Sequence, residues 1–315
     1  MLTIVNLLLP LLCIGLIGFI AARTGHFSEE HTTALARFVF NFAVPLMLLQ
    51  TFAGIDLETD LPGSLLLAYY LPVLFLYFLY FFVSARASGI GRSQQTIFAF
   101  ACSYGNLVLL GMPVALIVFG DRAVASVFFI IAVHTVMLFT VTTLLLELRR
   151  ATGKETRSVL TSSFKGLVTN PILLGIFAGL LFGSTGAELP TVVDSLSTLM
   201  KSAVVPCSLF AVGASLAQHR ISGSWIESLC VVVAKTAVLP VTVWVFSRYV
   251  FSLDPLSTAI AVFMAAQPVG VNVYIFSQNY QTGQSMVSAS IVLSTILSIF
   301  SLPLLLIVLN QSLQI

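Results

Sequence analysis

The sequence has few charged residues: Asp, Glu, Lys and Arg together make up 8% of its 315 residues, whereas 58% are hydrophobic. A soluble domain carries about 25% charged residues and cannot bury so much apolar surface. Long polar segments are also scarce, so no separate soluble domain is expected. The net charge of +2 is small and its basic residues are dispersed, which argues against a nucleic-acid partner.

Cysteine is scarce, and its spacing is not that of a metal site. Cys13, Cys102, Cys207 and Cys230 each lie in an apolar run, a pattern typical of buried free thiols. No metal or cofactor is therefore predicted. Acidic residues are missing from the middle of every apolar run, and His134 is the one candidate base for a serine nucleophile, so an intramembrane protease is excluded.

Long apolar runs are abundant. A helix crosses a bilayer with about 20 apolar residues, and continuous runs argue against the alternating strands of a membrane barrel. We predict an all-α integral membrane protein in contact with the lipid bilayer. The first run lacks the basic region of a signal peptide and is expected to be retained. The ten predicted spans are 3–22, 33–54, 62–84, 94–119, 122–146, 167–184, 191–217, 224–250, 256–280 and 283–309.

Basic residues are concentrated on one side of the predicted spans. Those near the ends of odd-numbered spans are Arg23, Arg37, Arg86, Arg92, Arg149, Arg150, Lys154, Arg157, Lys165 and Arg220. The opposite side has Arg122 and Arg248. Because short basic loops stay in the cytoplasm, both termini are predicted outside, which is the periplasm for a bacterial inner membrane.

The two halves of the chain share residues at a constant offset. A shift of 161 positions aligns Pro10 with Pro171, Gly18 with Gly179, Thr24-Gly25 with Thr185-Gly186 and Val44-Pro45 with Val205-Pro206. Five spans are an odd number, so the second half is predicted to enter the membrane inverted, as in many secondary transporters. The predicted parts are a first repeat at 1–146, a cytoplasmic connector at 147–166 and a second repeat at 167–315.

Glycine, proline and amide residues interrupt spans four and nine at matching depth, and a shift of 163 positions places Gly105 on Pro268. Broken helices in a membrane persist where protein, water or ligand satisfies the freed backbone groups. Half-helix N-termini favour anions and C-termini favour cations, so a substrate site is predicted here rather than two simple kinks. Its candidate residues are Gly105, Asn106, Gln267, Pro268, Val269, Gly270 and Asn272.

Further polar residues lie inside other spans. Asn41 and Gln50 in span two are candidates either for lining the substrate cavity or for holding helices together. Lys201 is either a substrate ligand or a snorkelling lysine, and Lys235, near the centre of span eight, favours an anionic substrate. His134 is predicted to be a hydrogen-bonded core histidine.

These motifs resemble those of bacterial permeases of the auxin efflux carrier family, a group that includes malonate transporters and is related to the plant PIN carriers. The resemblance covers essentially the whole chain, in the right order. The motifs are Asn41-Phe42-Ala43-Val44-Pro45, Gly105-Asn106, Gly111-Met112-Pro113, Pro206 with Gly213, and Gln267-Pro268-Val269-Gly270-Val271-Asn272. The chain differs from the plant carriers by lacking a long cytoplasmic loop and an acid embedded in the membrane.

The resemblance implies a crossover fold, similar to that of bile-acid symporters, in which spans four and nine break and cross at the membrane centre. It further implies a scaffold domain beside a mobile transport domain, each drawing on both repeats. Gly105, Asn106, Pro268 and Val269 would mark the crossing.

The function predicted is alternating-access transport of small organic carboxylate anions, dicarboxylates among them. One alternative is a sodium-coupled symporter of the bile-acid type, with Na⁺ held by Asn106, Gln267 and opened backbone carbonyls. A passive anion channel is less favoured because of the paired breaks. The coupling ion, Na⁺ or H⁺ if there is one, and the assembly, for which a homodimer is one option, are left open by the sequence.

Overall fold

The computed structural model describes residues 2–54, 63–86, 91–120, 123–147, 169, 171–218 and 225–313. Over these ranges the chain is helical and contains no β-strand. The helices are α1 (Leu2–Arg23), α2 (Glu29–Ala53), α3 (Gly63–Ser84), α4 (Arg92–Ser103), α5 (Leu107–Phe119), α6 (Val124–Glu147), α7 (Pro171–Gly183), α8 (Thr191–Gln218), α9 (Trp225–Val250), α10 (Pro255–Ala265), α11 (Asn272–Asn279) and α12 (Gln284–Leu313). The predicted connector, apart from Glu147, lies outside the described residues.

Six of the described helices, α2, α3, α6, α8, α9 and α12, are long and apolar enough to cross a membrane. Helices α5, α7 and α10 and the stretch Leu9–Arg23 of α1 are shorter but equally apolar. Large apolar side chains also point away from the protein, such as Phe177, Leu181 and Phe300, of which 65%, 74% and 71% are exposed. Such exposure is stable in lipid and not in water. The chain is therefore a multi-pass membrane protein.

Three helices widen into a π turn shortly before a proline. The π turns Val39–Ala43, Leu107–Gly111 and Ala234–Val238 each end two residues before Pro45, Pro113 or Pro240. Proline has no backbone N–H and its ring pushes away the carbonyl four residues earlier, so the helix accommodates it by taking up an extra residue. These prolines therefore bend the helices without ending them.

The helices pack in two groups. In the first, α1 packs along α8, and α2 packs between α7 and α8. The second group comprises α3 to α6 and α9 to α12, with α10 near its centre in contact with α3, α5, α6, α9 and α12. Contacts between the groups are sparser and run mainly from α8 and α1 to α5 and from α1 to α12.

Close approach in the first group depends on glycines. A Cβ on Gly213 of α8 would lie 1.8 Å from the carbonyl oxygen of Gly15 in α1, so only glycine fits there. In α7, glycines at four-residue intervals rest on the backbone of α2, and a Cβ on them would lie 2.5 to 2.7 Å from its carbonyl oxygens. These α7 residues are Gly175, Gly179 and Gly183. Membrane helices associate through such small-residue stripes because lipid provides no hydrophobic drive between helices.

Two glycine contacts between helices are related by the 161-residue offset seen in the sequence. A Cβ on Gly18 would meet the carbonyl oxygen of Phe210, and a Cβ on Gly179 would meet that of Leu49. Gly179 follows Gly18 by 161 positions, and Phe210 follows Leu49 by the same 161. The contact between α1 and α8 therefore has a counterpart between α7 and α2.

The cysteines are free, as expected, but their predicted burial is wrong for two of them. Cys102 is buried and Cys207 is half-buried, whereas Cys13 and Cys230 are exposed. An apolar run in a membrane helix faces lipid as readily as it faces the protein core, so apolar sequence neighbours do not indicate burial there.

Candidate functional site

Spans four and nine break where the sequence predicts. Helix α4 ends at Ser103 and α5 begins at Leu107, while α10 ends at Ala265 and α11 begins at Asn272. We call the two intervening segments, 104–106 and 266–271, the paired breaks. Gly105, Pro268 and Gly270 lie within them, and each disfavours a continuous helix.

The paired breaks contact each other through their backbones. The Asn106 N–H donates a hydrogen bond to the Pro268 carbonyl oxygen at 2.8 Å, and the Gly270 N–H donates one to the Tyr104 carbonyl oxygen at 3.0 Å. Between them Gly105 faces Val269 in antiparallel pairing. Under the 163-residue offset Gly105 corresponds to Pro268 and Asn106 to Val269, so the pairs Gly105–Val269 and Asn106–Pro268 are equivalent to each other.

Side chains from two other helices hold the breaks in place. The Gly105 N–H donates to Nε2 of His134 in α6 at 3.2 Å, and the Val269 N–H donates to Oγ of Ser294 in α12 at 3.1 Å. His134 is buried and hydrogen-bonded, which confirms its prediction as a core histidine. A Cβ on Gly270 would lie 2.6 Å from the ring of Tyr104, so the two breaks are in close contact.

Two candidate residues of the site are fully buried against α10. Nε2 of Gln267 donates to the Phe263 carbonyl oxygen at 2.9 Å, and its Oε1 has no hydrogen-bond partner among the described residues. Nζ of Lys235 in α9 donates to the carbonyl oxygen of Ala265, the last residue of α10, at 2.5 Å. The freed backbone at the breaks is therefore satisfied by protein groups, as burial in a membrane requires.

A cavity of about 1300 Å³ lies between the two helix groups and reaches the paired breaks at Val271 and Asn272. Hydroxyl and amide groups line much of it. They belong to Thr32, Thr33, Asn41, Thr135, Thr140, Thr143, Thr169, Ser215, Gln218, Asn272, Tyr274, Gln278, Gln284, Ser285 and Ser288. Of the described lining residues, Glu29 and Arg37 are charged, and both belong to α2. The wall is suited to a polar solute.

Asn272 connects the cavity to the paired breaks. It is the first residue of α11, lines the cavity, and its Nδ2 donates to the hydroxyl of Tyr104 at 3.0 Å. The same hydroxyl lies 3.4 Å from Oγ1 of Thr135, another lining residue. Tyr104, Thr135 and Ser294 were not predicted from the sequence. Of these three residues, only Tyr104 had a sequence signal, because it is next to Gly105.

The remaining candidates are distributed unevenly around this site. Asn41 is exposed and lines the cavity. Gly105, Asn106, Pro268, Val269 and Gly270 form the paired breaks, but they are buried and do not line the cavity. Lys201 is half-buried in α8, and Lys235 lies behind the breaks; neither lines the cavity.

Gln50 holds helices together and does not line the cavity. Its Nε2 donates to Oδ1 of Asp194 at 2.6 Å and to Oγ1 of Thr198 at 2.9 Å, both in α8. Of the two amides of span two, Asn41 therefore lines the cavity and Gln50 joins α2 to α8.

We predict that Gln50→Leu lowers the free energy of unfolding by about 1 kcal/mol, as expected for the loss of interhelical hydrogen bonds in a membrane. Transport should be retained because the cavity wall is unchanged. Thermal unfolding in detergent and uptake into liposomes measure the two effects. A folded variant that has lost transport would contradict this assignment.

Sequence comparison shows which known proteins the chain resembles. Residues 3–306 match the model of a family described as "Membrane transport protein". The chain is 25% identical to a protein named "Putative malonate transporter" from Rhizobium meliloti (strain 1021), over 94% of this chain and 92% of that protein. It is 22% identical to "Auxin efflux carrier component 8" of Arabidopsis thaliana, over 94% of each chain. An uncharacterized transporter of Methanothermobacter thermautotrophicus is 26% identical, over 94% of this chain and 95% of that one. The chain belongs to this membrane transport family, the auxin efflux carrier family, and is a transporter rather than an enzyme.

Proposed function

We propose that this protein carries small carboxylate anions across the membrane by alternating access, with the substrate bound where the cavity meets the paired breaks. The observation that carries the proposal is the cavity between two helix groups that ends at two broken, mutually paired helices. Within the paired breaks Val269 and Gln267 are fully buried. A site accessible from one side at a time is what an alternating-access carrier requires.

The fold proposed with this function is a ten-helix crossover built from two inverted repeats, at 1–146 and 167–315, joined by the connector 147–166. In it, α4 with α5 and α10 with α11 are the two crossing helices. The Gly18–Phe210 contact between α1 and α8 and the Gly179–Leu49 contact between α7 and α2 are related by the same 161-residue offset, which supports the repeat. The first helix group is the scaffold, and the second is the mobile transport domain.

Anionic substrates suit the site for two reasons. The first backbone N–H groups of a helix carry partial positive charge, and both α5 and α11 begin at the paired breaks. The amide of Asn272 and the hydroxyl of Thr135 add neutral hydrogen-bonding groups in the cavity wall. The name of the Rhizobium relative suggests malonate as the first dicarboxylate to test.

The orientation belongs to the same proposal. The cavity is lined by the start of α2, including Arg37, and by the end of α8 at Gln218. On the positive-inside rule this face is cytoplasmic and both termini are outside, in a bacterial inner membrane. The cavity would then be open toward the cytoplasm.

The test is a thermal-stability screen of the purified protein over mono- and dicarboxylates, followed by liposome uptake of those that bind. Malonate at about 100 times its Kd should stabilise the folded protein by about 2.7 kcal/mol. Malonamide has a similar shape without charge and serves as the matched control. Equal stabilisation by malonamide, or none by any carboxylate, would refute anion recognition. Large unitary currents in single-channel recording would indicate a channel instead.

A further inference from the structure

Lys235 is a fully buried lysine beside the paired breaks. Its Nζ donates to the carbonyl oxygen of Ala265 at 2.5 Å, at the C-terminal end of α10. The last carbonyls of a helix lack partners within it and carry partial negative charge. In the part of the chain that the structure describes, no Asp or Glu carboxylate contacts this ammonium. The end of a half-helix therefore takes the place of a counter-ion.

The same ammonium also lies against the other break. A Cβ on Gly105 would be 3.2 Å from both Cε and Nζ of Lys235. Gly105 in turn faces Val269 in the backbone pairing. The lysine side chain thus extends from α9 to the point where both breaks meet, and the absence of a side chain at Gly105 leaves room for it.

In transporters with broken helices, opened carbonyls and half-helix C-terminal ends are the groups that coordinate a coupling sodium ion. Here such an end, the Ala265 carbonyl, already binds Nζ of Lys235. We propose that Lys235 is a tethered replacement for that sodium ion. It neutralises the end of α10 and supplies the positive charge that balances a bound carboxylate, so that transport is independent of sodium.

This inference rests on the proposed anion transport and distinguishes a sodium-independent carrier from the sodium-coupled alternative. A purely structural lysine, which only caps α10, would stabilise the fold without affecting anion affinity. A charge-balancing lysine changes affinity in a protein that is still folded. Binding and stability must therefore be measured separately.

The first experiment measures uptake of radiolabelled malonate by the wild-type protein in liposomes, with sodium, potassium or N-methylglucamine as the only external cation. The expected result is the same rate in all three. A rate that collapses without sodium overturns the inference but leaves anion transport intact. If the folded protein moves neither malonate nor any other carboxylate of the stability screen under these conditions, the proposed function itself fails.

The second experiment compares Lys235→Met with Lys201→Met, the same change at a half-buried lysine of α8 that does not line the cavity. Malonate affinity should fall by about tenfold or more in Lys235→Met, equivalent to the loss of one strong charge interaction, and should change little in Lys201→Met. A folded Lys235→Met protein that binds malonate like the wild type overturns the inference. If Lys235→Met does not fold, the cation-replacement experiment on the wild type decides the question.

Discussion

Asn272→Leu is expected to remove most carboxylate transport from a protein that still folds. Leucine has the same branched shape but cannot donate a hydrogen bond to the Tyr104 hydroxyl, which Asn272 does at 3.0 Å, or to a substrate in the cavity. Each lost or unsatisfied hydrogen bond costs about 1 to 3 kcal/mol. A loss in that range corresponds to a roughly fivefold to 150-fold reduction in the rate of uptake at low substrate concentration.

Gln278→Leu provides the matched control for this prediction. Gln278 belongs to the same helix, α11, and also lines the cavity, but it is exposed and lies near the helix end away from the breaks. The same amide-to-leucine change there should leave uptake close to that of the wild type. Equal losses in the two variants would mean that the cavity as a whole, rather than its contact with the paired breaks, determines transport.

Gly213→Ala is expected to destabilise the protein strongly, although it adds a single methyl group. Its Cβ would lie 1.8 Å from the Gly15 carbonyl oxygen, a distance that neither backbone can relieve without separating α1 from α8. Overpacking of this kind costs about 1 to 3 kcal/mol, and rigid backbone on both sides favours the upper end. Thermal unfolding of the purified protein in detergent measures the loss.

The control for this change lies in the same helix crossing. A Cβ on Gly15 would meet the Leu209 carbonyl oxygen at 3.7 Å, an ordinary contact. Gly15→Ala should therefore be tolerated, or be stabilising by about 0.5 to 1 kcal/mol because alanine favours the helix. If both alanine variants unfold at the wild-type temperature, the close approach of α1 and α8 is not needed for stability.

The positions of the breaks follow largely from local sequence. Pro268 has no N–H and Gly105 has no Cβ, and both lie deep in apolar runs where a disrupted helix needs compensating contacts. The register of the pairing is a tertiary result. The structure pairs Gly105 with Val269 through two flanking hydrogen bonds, from the Asn106 N–H to the Pro268 carbonyl and from the Gly270 N–H to the Tyr104 carbonyl.

The local sequence did not determine which of the two amides of α2 lines the cavity. Asn41 and Gln50 are nine residues apart, which at about 100° per residue places them on opposite faces of a helix and about 13 Å apart along its axis. From sequence either amide was an equal candidate for the cavity. The packing of α2 between α7 and α8 turns Gln50 toward Asp194 and leaves Asn41 facing the cavity.

Membrane class and the helix breaks were determined by the sequence alone, because scarce charge and backbone chemistry act locally. The residues that complete the site come from distant helices: His134, Thr135 and Ser294 meet the breaks only after packing. In a soluble protein, apolar periodicity would indicate which face of each helix is buried. Here lipid-facing and core-facing surfaces are both apolar, so only the tertiary structure decided which side chains meet.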